Sequence, residues 1–337
     1  MEKIRYYLAI FRAHSAPSTI IPFVIFYVLS GGNIWTLKFL LFLPLPIMVH
    51  WFGFGHNSLM DTARGYDTKD PHKQHHPLVA GLVSLEQAHK VIHTGLLLFV
   101  LYGCWYIYRF AVEKVLAALC FVFGYACGHA YNDGLDKATH WKWVPEALTA
   151  TFMVLAINFI NSTTISYVVL VAVLALFMIH AFQIFFEGEL KEIEFMHEVN
   201  ILRTLGSRVA TNEEGQKILI ISRLAKAFAW AIQIIKTGLI YYLAWLMCIY
   251  NIILVTPYMA GMLWLTYKLL KSPRLYDHDK DLDYMAGAEI MAFFGSVMAV
   301  ANAIGYIESA LLCLFSIAWL VGFNKIQWGS GAIGPKV

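Results

Sequence analysis

Residues 57 to 88 read Asn-Ser-Leu-Met-Asp-Thr-Ala-Arg-Gly-Tyr-Asp-Thr-Lys-Asp-Pro-His-Lys-Gln-His-His-Pro-Leu-Val-Ala-Gly-Leu-Val-Ser-Leu-Glu-Gln-Ala. An apolar run of membrane length precedes this stretch and another follows it. Asp61, Asp67 and Asp70 therefore gather at the mouth of a membrane helix, with Arg64, Lys69 and Lys73 among them. Unpaired charge at the edge of hydrocarbon is costly, so carboxylates there are expected to hold a cation or face a polar cavity. Asn57 and Asp61 lie four apart and share one face of a continuing helix. Together they can offer oxygens to one hard cation, and that cation can hold a diphosphate.

The rest of the chain supplies the membrane setting. Of 337 residues, 59% are apolar and only 14% charged, where a soluble domain carries about 25% charge. Apolar runs fall roughly at 15–32, 36–57, 88–110, 112–131, 144–161, 164–186, 222–247, 250–270 and 284–303. A further run, 306–323, is a tenth span or the continuation of the ninth, with Asn302 and Gly305 at the junction. The expected fold is an all-α polytopic bundle of nine or ten transmembrane helices, a single integral-membrane domain over 1–337. No ten-residue alternation of the kind that marks a β-barrel is present. The polar start, with no small-residue cleavage site after the first apolar run, argues against a cleaved signal peptide. The five cysteines all sit in apolar segments without metal-type spacing and are expected to be small buried apolar residues.

Charge distribution orients the bundle. Nineteen Lys and Arg residues fall at the N-terminus and in alternate connections, against three in the opposite connections. The positive-inside rule then places the N-terminus and the long motif loops in the cytoplasm. Helices come as tight hairpins joined by large loops on that one side, where function usually sits. There is also an internal echo. Asn57-x-x-x-Asp61 closes the second span, Gln183-x-x-x-Glu187 closes the sixth, and each precedes a charged loop containing Gly81 to Ser84 or Leu205 to Ser207. This suggests two four-helix halves, about 15–161 with motif loop 57–88 and about 164–323 with motif loop 183–226.

The stretch 57–88 resembles the first aspartate-rich motif of the UbiA superfamily of intramembrane prenyltransferases. Asn57, Asp61, Pro77, Leu78, Gly81, Val83, Ser84 and Ala88 match that pattern. Ser58 replaces its second Asp, and Gly65 sits where a third Asp often lies, with Asp67 two residues on. This Gly-x-Asp variant looks like the dihydroxynaphthoate (menaquinone-pathway) branch, and His76 stands where many members have Arg. Tyr131 and Lys137 resemble the Tyr…Lys feature after the fourth helix; an aromatic-belt Tyr with a snorkelling Lys is the bland alternative. The stretch 183–207 occupies the place of the second motif but holds no Asp; Glu187, Glu189, Glu192, Glu194 and Glu198 stand in its place, or form a solvated helix face.

The resemblance implies a bundle around a central cavity, in which Asn57, Asp61, Asp67, Glu187 and Glu192 bind Mg2+. It implies that Arg64, Lys73, His76, Lys137, Lys191 and Arg203 hold a polyprenyl diphosphate, and that Asp61, Tyr131 and Lys137 act in ionising it. The prenyl group would pass to a small aromatic or lipid-headgroup acceptor, with membrane lipid around the bundle and no nucleic-acid partner. A terpene cyclase would use the same ionisation without an acceptor, and Ser58 and the all-Glu second cluster keep that rival open. A transporter or lipid-binding protein is a third reading, disfavoured because the acids sit at helix ends rather than at the midplane. His72, His75 and His76 lack a second ligand pair, and the nearby carboxylates favour Mg2+ over zinc. Asp277, Asp279, Asp281 and Asp283 alternate as a solvated acidic turn or help to cap the cavity. Lys236, Glu289 and Glu308 lie inside apolar runs and should face the interior or the water interface, in pairs the sequence does not specify.

Overall fold

With no water to satisfy the backbone inside a membrane, long apolar runs fold as helices, which bond every peptide group internally. A computed structural model describes residues 2–135, 138–195 and 199–328. Its principal helices are α1 (Glu2–Ile10), α2 (Pro17–Leu29), α3 (Leu37–Phe42), α4 (Pro44–Ala63), α5 (Leu85–Phe110) and α6 (Lys114–Ala130). They continue as α7 (Trp143–Asn161), α8 (Tyr167–Phe182), α9 (Arg223–Met247), α10 (Asn251–Leu270), α11 (His278–Ala299) and α12 (Tyr306–Trp328). Among the described residues, eight helices are long and apolar enough to cross a membrane, or nine if a pair bent by 56°, Lys3–Ile10 with Ala13–Leu29, makes one span. The run from 306 is a helix of its own, separated from α11 by a break that ends at Gly305 (φ +108°). Glu308, in the first turn of α12, folds back over Gly305.

Consecutive helices pack as neighbours, α4 on α5, α6 on α7, α8 on α9 and α10 on α11, around one large apolar core. The long loops meet at one end of the bundle. There a three-stranded antiparallel sheet forms from β1 (Arg208–Thr211), β2 (Lys217–Ile220) and β3 (Arg274–Leu275), in that order. Leu190, Ile193, Leu202 and Leu219 form a second core that fastens the loop after α8 to this sheet. The acidic run at 277–283 is the beginning of α11. Asp277 caps the helix by accepting the Lys280 amide, and Asp281 pairs with Arg274, so the run serves the loop's structure and is absent from the cavity lining. Of the cysteines only Cys313 is buried; Cys104 is exposed on α5, which corrects the expectation that all five are interior. An outward-facing position is no penalty for a small apolar residue on a membrane helix.

Glycine stops the motif helix. At the end of α4 the Tyr66 amide donates to the Asp61 carbonyl (2.8 Å) and the Gly65 amide to the Thr62 carbonyl (3.0 Å), a Schellman cap. Gly65 takes φ +77°, a conformation that glycine adopts without strain. The same cap ends the short helix Ile201–Thr204, where Ser207 donates to Leu202, Gly206 donates to Arg203, and Gly206 has φ +91°.

After the cap the chain folds back on itself. Asp67 is buried, accepts from Lys73 Nζ at 2.6 Å and receives the Thr62 hydroxyl at 3.4 Å. Burial alone would push the Asp67 carboxyl up, but the Lys73 ammonium outweighs it and holds the group below the usual carboxylate range. His76 lies buried beside this pair, and burial pushes its imidazole down to about 3. The three loop histidines diverge: His72 stacks on His278, His75 meets Trp328, and His76 faces inward.

Gly65→Ala should lower stability by about 1–2 kcal/mol through the left-handed backbone alone, since no atom crowds the new methyl. Gly238→Ala, at an open helical position on α9, should not lower it, and thermal melts of the two variants in detergent compare the signs. His76 predicts an acid-labile step. A folded value far below 6.5 means that the unfolded chain takes up the proton first. The contribution is therefore whole above about pH 6.5 and is lost as pH falls toward 3, by up to about 1.4 kcal/mol per pH unit. Melts between pH 7 and 5 should show a shallower decline for His76→Gln than for wild type.

Candidate active site

The helix ends α4 and α8 face each other across a cavity of about 410 Å3, within the range of small-molecule sites. Asn57 and Asp61 from α4, Lys73 from the motif loop, and Glu187, Lys191 and Glu192 from the segment after α8 line one hollow. The two acidic clusters expected from the sequence therefore converge. Local geometry helps: α8 widens into a π-helical turn, Gln183–Gly188, and both Gln183 and Glu187 reach the cavity wall. Single π turns often sit at functional sites, because the extra residue re-aims the side chains around it.

Glu187 carries the strongest signal. It is 4% exposed, and its carboxyl group shares a hydrogen bond with the Glu289 side chain. Glu289 of α11 and Lys236 of α9 lie within electrostatic reach of it, which supplies the partners for those intramembrane charges. Lys236 also sits 4.8 Å over the Phe182 ring. Opposite, Lys191 lies within electrostatic reach of Lys73 and Arg12, and all three cations line the cavity. Asp67 pairs with Lys73, and Asp70 and Glu192 lie within electrostatic reach of Lys191, so acids already sit among the three cations. Deeper in, the lining turns apolar with Phe23, Leu96, Phe99, Val154 and Leu176. Along α4 it runs from Asp61 to Val49, about 18 Å at 1.5 Å per residue.

Other expected site residues take different places. Asp67 is absent from the cavity lining; its carboxylate is engaged by Lys73 and Thr62 and holds Lys73 at the wall. Arg64 points away from the cavity, donating to the backbone carbonyls of Asn132 (3.1 Å) and Asp133. His76 is buried behind Lys73 and Asp67, and Arg203 lies on the short helix after the Glu-rich segment; neither lines the cavity. Glu189 pairs with Lys142 at 2.5 Å and accepts the Ile201 amide, so it braces the loop. Glu194 pairs with Lys217. Tyr131 does line the cavity, in a turn that continues α6. Lys137 and Glu198 lie outside the described residues.

Ser58, the departure that kept a cyclase open, is buried with its hydroxyl turned to the Ile10 carbonyl (3.4 Å), so it packs α4 against the N-terminal helix. Sequence reasoning missed Arg12, which adopts a left-handed conformation (φ 47°) in the bend before α2 and covers the Phe54 ring. It also missed Glu146, on the wall at the start of α7. The signals were an arginine just ahead of the first long apolar run and an acid inside another.

The five oxygen-bearing side chains Asn57, Asp61, Glu187, Glu192 and Glu289 are of the type that suits a hard cation such as Mg2+. No curated protein matches the chain by sequence. By structure the chain is similar to a UbiA homolog from Archaeoglobus fulgidus bound to GPP and Mg2+, with 15% identity, a TM-score of 0.59, and 94% of this chain and 99% of that one covered. It is similar to that homolog bound to DMAPP and Mg2+, at 16% identity and TM-score 0.59, covering 93% and 98%. A digeranylgeranylglyceryl phosphate synthase is also similar, at 17% identity and TM-score 0.55, covering 90% and 99%. The model of the UbiA prenyltransferase family matches residues 19–286, most of the chain. The chain belongs to the UbiA prenyltransferase family.

Proposed function

We propose that this protein is a Mg2+-dependent intramembrane prenyltransferase, moving a polyprenyl group from its diphosphate to an aromatic or lipid-headgroup acceptor. The observation that carries this reading is the hollow shared by Asn57, Asp61 and the buried Glu187, with Arg12, Lys73 and Lys191 beside them. Those three cations bind the diphosphate oxygens and stabilise the charge that develops as the allylic C–O bond breaks. Mg2+ held by Asn57, Asp61 and Glu187 would add to that neutralisation. Asp67 keeps Lys73 in place. Phe99, Tyr125 and Tyr131 line the hollow, where an aromatic face would favour an allylic cation electrostatically, and the apolar lining would hold the isoprenoid tail away from water.

The Gly-x-Asp form of the first motif favours an aromatic acceptor of the dihydroxynaphthoate kind. The basic connections support a cytoplasmic position for the loop-rich end. With Ser58 turned toward α1, its replacement of an Asp no longer supports the cyclase reading.

Purified protein incubated with labelled prenyl diphosphate should release diphosphate only with Mg2+ and form an acceptor adduct. Asp61→Ala and Glu187→Gln should each cut release about a hundredfold or more while leaving the protein folded in detergent, and Ser58→Ala should leave it near wild type. Near-normal turnover in both site variants would refute the assignment. A hydrocarbon or terpene alcohol formed in the presence of acceptor would convert the reading to a cyclase.

A further inference from the structure

We propose that His56, His129 and Asp133 form a binding site for a divalent transition-metal ion, Zn2+ above all. His56 and His129 line the same cavity as Asn57, Asp61 and Glu187, but the two ligand sets share no residue. His56 lies on α4 one residue before Asn57, His129 in the last turn of α6, and Asp133 in the turn Tyr131–Leu135. One Asp133 oxygen stands 3.4 Å from His56 Nε2 and the other 3.2 Å from His129 Nε2, and the ligand atoms all lie within 4.8 Å of one another. A tetrahedral zinc ion, with bonds near 2.0–2.1 Å, sets adjacent ligand atoms about 3.3 Å apart. Two imidazoles and one carboxylate suit zinc and disfavour Mg2+, which prefers an all-oxygen shell.

The site is held ready and open. Arg64 fixes the carbonyls of Asn132 and Asp133, and the Asn132 side chain donates to the Gly53 carbonyl at 3.3 Å. His56 is buried, but the His129 and Asp133 side chains are 41% and 44% exposed, so an ion can enter. A fourth donor is near: the His93 ring on α5 lies 5.5 Å from that of His56. Its Nδ1 donates to the His89 carbonyl (2.9 Å), which leaves Nε2 free as a ligand. A bound ion would staple the motif helix α4 to the turn that carries Tyr131, stiffening one wall of the cavity.

The test uses the full chain in detergent, stripped with chelator and titrated with Co2+ as a visible stand-in for Zn2+. One equivalent should develop visible absorption bands that survive millimolar Mg2+ and disappear when Zn2+ displaces the cobalt. His129→Ala and Asp133→Asn, both at half-exposed positions, should lose the bands, and Asp61→Asn should keep them. Zn2+ should raise the melting temperature of wild type but not of His129→Ala. The proposal is overturned if wild type shows no bands or if they persist in both His129→Ala and Asp133→Asn. Suppression by Mg2+ or by Asp61→Asn would overturn it too, because the ion would then sit at the diphosphate site.

Discussion

A carboxylate sealed inside protein without a hydrogen-bond partner is among the least tolerable arrangements a fold can hold; the effective cost is several kcal/mol even after relaxation. Glu187 comes close to it: the group is buried, and its partners are a second acid, Glu289, and the Lys236 ammonium. Lys236 of α9 and Glu289 of α11 offset part of that cost. Arg12, Lys73 and Lys191 line the same hollow, with Asp67 paired to Lys73 and with Asp70 and Glu192 within electrostatic reach of Lys191. Under the proposed function a metal would join the acids and a diphosphate would sit among the cations. The rest of the bundle is the apparatus that keeps this unbalanced pocket from collapsing.

Part of that apparatus is backbone geometry. The Schellman cap at Gly65 ends α4 one turn past Asp61, so the acid stays at a helix end with its chain direction fixed. The chain then returns through Asp67, whose buried pair with Lys73 holds an ammonium against the cavity it would otherwise leave for water. On the facing side a π turn brings Gln183 and Glu187 to the wall, and Lys142 with Glu189 anchors the following loop. Charges that do not touch the hollow are there to position those that do.

The apolar runs made the helices and their approximate ends legible, because membrane length and hydropathy leave few alternatives. The first motif was legible because its spacing is tied to a helix face and to the glycines that end it. Glu187 could be read from its echo of Asp61 four residues after an amide side chain. What could not be read depends on which way a side chain turns within a loop. Asp67, Arg64 and His76 all stand in the motif, yet one pairs inward, one reaches across to the 132–133 carbonyls, and one packs behind the wall. Periodicity does not extend into the loop, so their directions were open. Arg12 was hidden for the opposite reason: it sits in a bend between helices, far in sequence from either motif, and joins the site only through the fold.

The most direct test of the central claim is calorimetric titration of a non-ionisable prenyl thiodiphosphate into the purified protein, with and without Mg2+, for wild type and Glu187→Gln. The account predicts binding that requires Mg2+ in wild type and is largely lost in the variant. Equal affinity in all four arms would contradict it, since the buried carboxylate would then have no share in holding the metal and its diphosphate.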